Sequence, residues 1–200
     1  MIKNIILDFG RVLVDYDFLP VIDTFFPAGD EARKQQFCDL YLSQAFTDRC
    51  DLEDIPFAQL IAEEQKAHPE FARELGMFRD RYQEFVIGQM PGMQPLLEQL
   101  KAHGLRLFGL TNWSSEVYKV IDRYPIFQLL DGRVISSEEH IIKPDRDIYL
   151  RLCDRYSLNP AECLFVDDKA VNVEGARRAG MDAVVFTTAE AFEKFIGNID

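Results

Sequence analysis

Short apolar runs that alternate with amphipathic segments limit the fold of this chain more than any other feature of its sequence. Four runs have the mostly apolar character of strands buried on both faces: residues 5–7, 105–110, 164–166 and 183–186. Three segments between them have apolar residues at helical spacing: 93–100, 145–156 and 172–179. Strands that alternate with helices predict an α/β fold with a parallel sheet covered on both faces.

The alternation is interrupted between residues 16 and 88. This stretch has no continuous β run, and its apolar residues recur at helical spacing, as at Phe37, Leu40 and Tyr41. Its length of roughly seventy residues exceeds that of the loops that connect elements in compact domains. We therefore expect this stretch to form a mostly helical unit of its own.

The resulting interpretation has two domains. Residues 1–15 and 89–200 form a Rossmann-like core, and residues 16–88 form a small helical domain inserted after its first strand. The two joins fall near residues 15–18 and 88–92. Glycine and proline at the second join suit a hinge.

The charge balance excludes several classes of partner. With 22 Lys and Arg against 34 Asp and Glu, the chain has a formal net charge of −12, which repels phosphate polyanions. We expect no nucleic-acid partner and no binding to a membrane. The composition is 48% hydrophobic, which is sufficient for a sizeable core. The oligomeric state is left open.

Cysteine usage and the lack of long apolar stretches favour a soluble, cytoplasmic protein. The four cysteines are scattered without metal-binding spacing and are interpreted as reduced residues: Cys38, Cys50, Cys153 and Cys163. The apolar stretch at the N-terminus is too short for a signal peptide. No run approaches the ~18 residues that a membrane span needs.

Residues with chemically active side chains follow the predicted strands. Asp8, Thr111 and the pair Asp167 and Asp168 stand at strand ends, and Lys143 lies in a loop before a helix. In an open parallel sheet, ligands bind beyond the carboxyl ends of the strands. Clustered carboxylates repel one another unless a cation holds them, and Mg²⁺ is the commonest oxygen-liganded choice. The sequence therefore predicts a Mg²⁺ site that shares its ligand shell with substrate phosphate.

Four short motifs, in this order, resemble those of the haloacid dehalogenase (HAD) superfamily. They are Asp8-Phe9-Gly10-Arg11-Val12-Leu13, Leu110-Thr111-Asn112, Lys143-Pro144, and Val166-Asp167-Asp168 followed by Asn172. The resemblance runs from residue 4 to residue 187, and the helical insert is similar to the subclass I cap of that superfamily. Within it, the motifs look most like a bacterial phosphatase group that includes sugar-1-phosphate phosphatases.

The resemblance implies a role for each catalytic residue. Asp8 is expected to attack phosphorus and form an aspartyl-phosphate that water later hydrolyses. Thr111 and the backbone N–H of Asn112 are expected to bind the phosphoryl group. Lys143 is expected to bind the same group and to neutralise charge in the transition state. Asn172 is expected to orient the loop or Lys143, or to begin a helix.

The same resemblance implies the metal ligands. The carboxylates of Asp8, Asp167 and Asp168 and the backbone carbonyl of Gly10 are expected to hold Mg²⁺. Asp168 is the expected direct ligand of the acidic pair, because it aligns with the second acid of the motif. The expected substrate is a small phosphorylated metabolite, and its specificity should reside in the insert.

One position departs from the pattern of the superfamily. Its phosphatases usually have a second Asp, two residues after the nucleophile, which protonates the leaving group and then activates water; this chain has Gly10 there. The loss of a general acid costs on the order of 10²–10⁴ in rate, or roughly 3–5 kcal/mol. The loss is tolerable if the leaving group departs easily or if another group donates the proton. The first option makes an anomeric sugar 1-phosphate a candidate substrate. Arg11, where Gly or Asn is common, is expected to face solvent.

Three other functions are weighed against this one. A metal-independent 2-haloacid dehalogenase also has an Asp nucleophile and lacks the second Asp, but it typically has a Ser-containing motif in place of Asp167 and Asp168. A degenerate, non-catalytic member of the superfamily would also show Gly10. A receiver domain has its acidic pair before the acceptor Asp and has no place for the insert.

The remaining aromatic residues are assigned to packing. Phe25, Phe26, Tyr41 and Phe46 are expected to form the core of the insert rather than to cover the substrate. Trp113 is expected to anchor the core or the interface between the domains. These assignments leave the physiological substrate open.

Overall fold

Seven β-strands form two sheets in the computed structural model, which describes residues 1–197. The strands are β1 (Asn4–Leu7), β2 (Val14–Tyr16), β3 (Val86–Gln89), β4 (Arg106–Thr111), β5 (Gly132–Ile135), β6 (Cys163–Asp167) and β7 (Asp182–Val185). Five of them form a fully parallel sheet in the order β5–β4–β1–β6–β7, and β2 pairs antiparallel with β3. The predicted α/β fold with a parallel sheet is confirmed.

Eleven α-helices accompany these strands in the described part of the chain. They are α1 (Leu19–Asp23), α2 (Glu31–Tyr41), α3 (Gln44–Leu52), α4 (Phe57–Ala67), α5 (Ala72–Asp80), α6 (Met93–Ala102), α7 (Val117–Arg123), α8 (Ser136–Glu139), α9 (Arg146–Tyr156), α10 (Ala170–Arg178) and α11 (Ala189–Ile196). The three helices predicted from apolar spacing are α6, α9 and α10. Helix α9 begins one residue later than predicted because Asp145 caps it, accepting a hydrogen bond from the Asp147 N–H at 2.9 Å.

Alternate residues of β1 serve the two faces of the parallel sheet. Ile5 and Leu7 belong to a core that also contains buried residues of α6, α7 and α11. Ile6 belongs to a second core, with buried residues of α9 and α10. Successive side chains of a strand point to opposite faces, so a strand covered on both sides has apolar residues at successive positions, as Ile5, Ile6 and Leu7 show.

Helices α1–α5 lie between β2 and β3 and have an apolar core of their own. Phe25, Phe26, Tyr41 and Phe46 all belong to it, in agreement with their assignment to packing. Phe37 is fully buried at its centre and contacts several of the surrounding rings. The domain boundaries at residues 16 and 88 remain a prediction.

The two segments that join the insert to the core pair with each other. Asp15 lies opposite Gly88 in the antiparallel ladder of β2 and β3. The expectation of no strand between residues 16 and 88 is therefore wrong at both ends, because Tyr16 and residues 86–88 belong to this ladder. The two strands have three and four residues, which is too short for a periodic signal.

The sheet also departs from the prediction at its edge and at two strand ends. Strand β5 is absent from the prediction, because Gly132 and Arg133 interrupt the apolar run that identifies a buried strand. A Cβ atom at position 132 would lie 2.3 Å from the ring of Tyr156, so that only glycine fits there. Strands β4 and β6 each continue one residue beyond the predicted runs, to Thr111 and Asp167.

Two further expectations concern cysteines and membrane spans. The four cysteines are free thiols, and all but Cys38 are buried. Burial raises the pKa of the Cys50 thiol, which suits a structural residue rather than a reactive one. Within residues 1–197, no helix combines the length and the apolar character needed to cross a bilayer.

Candidate active site

The carboxyl ends of two neighbouring strands bring three acids together. Asp8 follows β1 directly, and its backbone N–H donates a hydrogen bond to the Val166 carbonyl at 2.9 Å. Asp167 is the last residue of β6, and Asp168 follows it. One carboxylate oxygen from each acid lies within 4.8 Å of the other two. The acids therefore converge at one edge of the sheet, as the sequence predicts.

Lys143 joins two of these acids. Its ammonium nitrogen lies 2.9 Å from Asp8 Oδ1 and 2.7 Å from Asp167 Oδ2. It also donates a hydrogen bond to the Leu110 carbonyl at 2.9 Å. The residue is 3% exposed, so the charge is buried and all three contacts are shielded from water.

Asn112 fixes the loop that carries Lys143. Its side-chain amide donates to the Lys143 carbonyl at 3.0 Å, and its Oδ1 accepts the Lys143 N–H at 2.7 Å. The side chain therefore has a positioning role that the sequence analysis did not assign to it. The predicted contact of its backbone N–H with a phosphoryl group remains a prediction, as does the contact of the buried Thr111, which lines the same cavity.

The carboxylate of Asp167 is fully occupied by protein contacts. The amide of Asn172 donates to its two oxygens, at 3.0 Å each, and the backbone N–H of Lys169 donates at 2.8 Å. These hydrogen bonds and the ion pair with Lys143 hold the loop after β6 in position. Asn172 thus orients Asp167 rather than Lys143. Asp168 is only partly buried and makes no ion pair among the described residues, which favours it as the direct metal ligand.

Burial and charge act in opposite directions on the pKa values of this site. Burial raises the pKa of Asp8 to about 7, against the lowering effect of Lys143. At Asp167 burial also favours the neutral acid, but Lys143 and the hydrogen bonds from Lys169 and Asn172 together outweigh it and lower the pKa below its ordinary value. Burial and the neighbouring Asp167 raise the pKa of Asp168. Burial alone would lower the pKa of Lys143, but the two carboxylates raise it, so the ammonium stays charged.

The donor set fits a hard divalent cation. Three carboxylates meet a single buried ammonium, which leaves an excess of negative charge that burial makes costly. The available donors are oxygens, which Mg²⁺ prefers. Asp8, Asp168 and the Gly10 carbonyl are the groups that would hold the ion, with Asp167 beside them.

A cavity of about 270 Å³ lies over the acids. Asp8, Thr111 and Lys143 line it from the core side. Seven aromatic residues of the insert line it: Tyr16, Phe18, Tyr41, Phe46, Phe78, Tyr82 and Phe85. Tyr41 and Phe46 therefore belong both to the core of the insert and to the wall of the cavity. Trp113, 9% exposed, is also part of this wall.

Tyr16 occupies the space next to Gly10, and the sequence analysis did not single it out. A Cβ atom at position 10 would lie 2.8 Å from Tyr16 Cε1, so the ring stands where a longer side chain would begin. The guanidinium of Arg11 lies 4.6 Å from the centre of this ring and 2.5 Å from Asp15. Arg11 has a φ of +62°, the conformation that favours Gly or Asn. Its side chain is 44% exposed, as expected.

Asp51 is a second residue that the sequence analysis missed. It lies in the last turn of α3, is 8% exposed, and lines the cavity that also contains Asp8. The sequence contains no clear signal for it, because Asp51 lies about 100° around α3 from Cys50 and about 140° from Phe46, off the apolar stripe that those two residues form.

Among solved structures, the chain is similar to a HAD family enzyme from Bacteroides thetaiotaomicron in complex with magnesium and inorganic phosphate. The TM-score is 0.78 with 18% sequence identity, and the match covers 98% of this chain and 99% of that one. At this identity the likeness concerns the fold alone.

Curated relatives include both phosphatases and dehalogenases. The sesquiterpene phosphatase astK of Aspergillus oryzae is 31% identical over 100 residues, which are 50% of this chain and 51% of the relative. The (S)-2-haloacid dehalogenase 4A of Burkholderia cepacia is 32% identical over 95 residues, 47% of this chain and 41% of the relative. The chain spans about half the length of the curated relatives it matches.

The family itself follows from a longer match. The sequence model of the haloacid dehalogenase-like hydrolases matches residues 2–180, which include every residue of the site described above. The fold is also that of solved structures of that family which resemble this chain. This chain belongs to the haloacid dehalogenase-like hydrolases.

Proposed function

We propose that the chain is a Mg²⁺-dependent phosphatase that hydrolyses a small phosphate monoester through an aspartyl-phosphate on Asp8. One observation carries this proposal: the Asp8 carboxylate faces a cavity while Lys143 holds one of its oxygens at 2.9 Å. A carboxylate fixed in this way is oriented for attack, and the ammonium beside it stabilises the charge that develops on the phosphoryl oxygens.

The reaction has two chemical steps in this proposal. An oxygen of Asp8 attacks phosphorus, and the bond between phosphorus and the leaving oxygen breaks. Thr111 and the N–H of Asn112 hold the phosphoryl group during the transfer. Water then attacks phosphorus, the bond to Asp8 breaks, and inorganic phosphate leaves. Bound Mg²⁺ supplies charge neutralisation between the carboxylates and the phosphoryl group.

The size of the cavity and its lining by the insert indicate which kind of substrate fits the site. We propose that residues 16–88 act as a cap and that the aromatic wall contacts the leaving group. A volume of about 270 Å³ matches a small metabolite rather than a polymer end. An anomeric sugar 1-phosphate fits the leaving-group argument from Gly10, since its oxygen departs readily.

A Mg²⁺-dependent assay on phosphorylated metabolites tests the proposal. We expect turnover that EDTA abolishes and that Asp8→Asn lowers by at least 10³-fold. Glucose 1-phosphate should be hydrolysed faster than glucose 6-phosphate if the ease with which the leaving group departs limits the rate. Turnover by Asp8→Asn contradicts the nucleophile assignment. Release of halide from 2-chloropropionate in EDTA would identify a dehalogenase, and phosphate binding without turnover a degenerate member.

A further inference from the structure

The carboxyl group of Asp51 lines the cavity and accepts no hydrogen bond from the described residues. Asp51 shares the cavity with Asp8 and Thr111, but it belongs to α3 of the insert. The hydrogen bonds of the described residues include none to this carboxyl group; only its backbone carbonyl accepts one. Burial, together with the negative charge of Asp51, raises the pKa of the Tyr82 phenol and of the Cys50 thiol, so that both stay neutral. An acid in a cavity wall that is 8% exposed and has no hydrogen-bond partner in the protein points to a function.

The end of α3 that carries Asp51 is docked firmly on the core. Ser136 Oγ donates to the Asp51 carbonyl at 2.6 Å, and His140 Nδ1 lies 2.9 Å from the Leu52 carbonyl. The Glu53 carboxylate accepts hydrogen bonds from the backbone N–H and the hydroxyl of Ser115, at 2.5 and 2.7 Å. These contacts fix the position of Asp51 relative to the strand ends, although it lies on the inserted segment.

The charges around Asp51 leave it able to exchange a proton near neutral pH. Burial raises its pKa to about 7. Lys169 and Lys143 lower this pKa, whereas Asp48 on the same helix and Asp8 raise it. The C-terminal end of α3 also disfavours a negative charge. A general acid that must also act as a base is most effective with a pKa near the working pH.

We propose that Asp51 is the general acid and base of the reaction, supplied from the insert because position 10 has no side chain. The inference rests on the proposed function. Asp8 attacks from the core side, so the leaving oxygen faces the insert, where Asp51 lies. As the bond from phosphorus to the leaving oxygen breaks, the protonated Asp51 gives its proton to that oxygen, and an alcohol leaves.

The second step returns Asp51 to its starting state. The Asp51 carboxylate takes a proton from the water that attacks phosphorus of the aspartyl-phosphate. The bond between phosphorus and Asp8 breaks, and inorganic phosphate and a free Asp8 carboxylate result. Asp51 is again protonated. With an acid on the insert, a good leaving group is no longer required, and the substrate need not be a sugar 1-phosphate.

Two aryl phosphates of similar shape separate the two steps. Phenyl phosphate has a leaving group with a pKa of about 10, and 4-nitrophenyl phosphate releases a much more acidic phenol that departs without a proton. We expect Asp51→Asn to lower kcat/KM for phenyl phosphate by 10²–10⁴-fold, the range of a lost general acid. With 4-nitrophenyl phosphate the variant should release about one equivalent of nitrophenol quickly and then turn over slowly, because the aspartyl-phosphate lacks its base.

The matched control is Asp39→Asn, the same change at an exposed acid of α2 in the same insert. It should leave both substrates and the burst unchanged. Asp51→Asn with both substrates within threefold of the wild type overturns the proposal. An equal loss of kcat/KM for the two substrates without a burst indicates a structural role and also overturns it. So does a selective loss of phenyl phosphate turnover that is larger in Tyr16→Phe than in Asp51→Asn.

Failure of the proposed function gives a different result. If the wild type with Mg²⁺ hydrolyses neither aryl phosphate, the phosphatase proposal fails and the role of Asp51 fails with it. If Asp51→Asn does not fold, the ratio of the wild-type kcat/KM values for the two substrates tests the role of Asp51 instead. An enzyme with a working acid has similar kcat/KM values for the two substrates, whereas a preference for 4-nitrophenyl phosphate above 10²-fold overturns the role of Asp51.

Discussion

At the scale of single residues, the buried ammonium of Lys143 holds the site together. Two carboxylates within 3 Å of it, those of Asp8 and Asp167, are buried with it. Removing one partner of such a cluster leaves the other charges without compensation. The same side chain therefore serves stability and, in the proposed reaction, catalysis.

We predict that Lys143→Met lowers the free energy of unfolding by about 3–5 kcal/mol at pH 8 without metal. The loss should be smaller at pH 5, where Asp8 and Asp167 take up protons in the variant. Urea unfolding at both pH values measures it. Lys101→Met is the control, because Lys101 pairs with Asp131 at 2.7 Å on the surface and should cost about 1 kcal/mol or less. Equal losses at the two lysines would contradict the prediction.

A second residue-scale prediction concerns Gly10 and Tyr16. Gly10→Asp introduces a side chain that meets the Tyr16 ring, so we expect it to destabilise the protein by about 1–3 kcal/mol. Tyr16→Ala should remove that penalty, and a double-mutant cycle should give a coupling energy of at least about 0.5 kcal/mol. Additive effects would show that the ring does not exclude a side chain at position 10.

Most residues of the site are predictable from the sequence, because they follow strands. The positions of Asp8, Thr111 and Asp167 follow from parallel strands that share a carboxyl edge. Asp51 is not predictable in this way, because its place over the site depends on contacts such as that with Ser136, 85 residues further along the chain. The periodicity of a local segment cannot reveal a contact between residues so far apart in the chain.

At the scale of elements, the contact between α3 and the core decides where Asp51 lies. Glu53 follows α3 in a left-handed conformation, with φ +47°, and its carboxylate accepts from Ser115 and from the Phe57 N–H. One acid thus ends α3, begins α4 and ties both to the loop after β4.

We predict that Glu53→Gln lowers kcat/KM for phenyl phosphate by roughly threefold to tenfold, because an amide has one acceptor oxygen for three donors. The melting temperature should fall by a few degrees at most. Glu63→Gln is the control, since the only side-chain hydrogen bond of Glu63 within residues 1–197 is the one it accepts from the Gln59 amide, at 3.0 Å, in the same insert. Identical kinetics of the two variants would mean that this contact does not position Asp51.

The elements differ in how well their sequences predict them. Helices α6 and α9 each bury four apolar residues on one face, and α10 buries Val173 and Ala176, so that their existence is clear from spacing. Strands β2 and β5 have three and four residues with polar members, so that only their neighbours define them. Tertiary pairing rather than local sequence makes these segments strands.

At the scale of the whole molecule, the site makes stability depend on pH. An acid whose pKa is raised on folding binds its proton more tightly in the folded state, so stability falls as pH rises from the unfolded pKa to the folded one. For Asp51 this window runs from 3.8 to about 7. The same sign applies to Asp8 when no metal is bound.

We predict that the metal-free protein melts at a higher temperature at pH 5.5 than at pH 8. Asp51→Asn should raise the melting temperature at pH 8 and reduce the difference between the two pH values. Mg²⁺ at 100 times its Kd should add about 2.7 kcal/mol at pH 8. Calorimetry with and without EDTA measures all three effects. A wild type that is more stable at pH 8 than at pH 5.5 without metal would contradict the sign.

Because β2 pairs with β3, the segment between them can differ in length or fold without a change in the parallel sheet. Paired residues of antiparallel strands lie about 5 Å apart, so Asp15 and Gly88 present two adjacent chain ends to whatever connects them. The parallel sheet needs only that this gap be closed. A connecting segment of another length or fold, ending in two short strands, satisfies the same join. As far as this join is concerned, the residues between the two strands are exchangeable as one unit, and the exchange would replace the proposed acid Asp51 together with the wall of the cavity that the insert supplies.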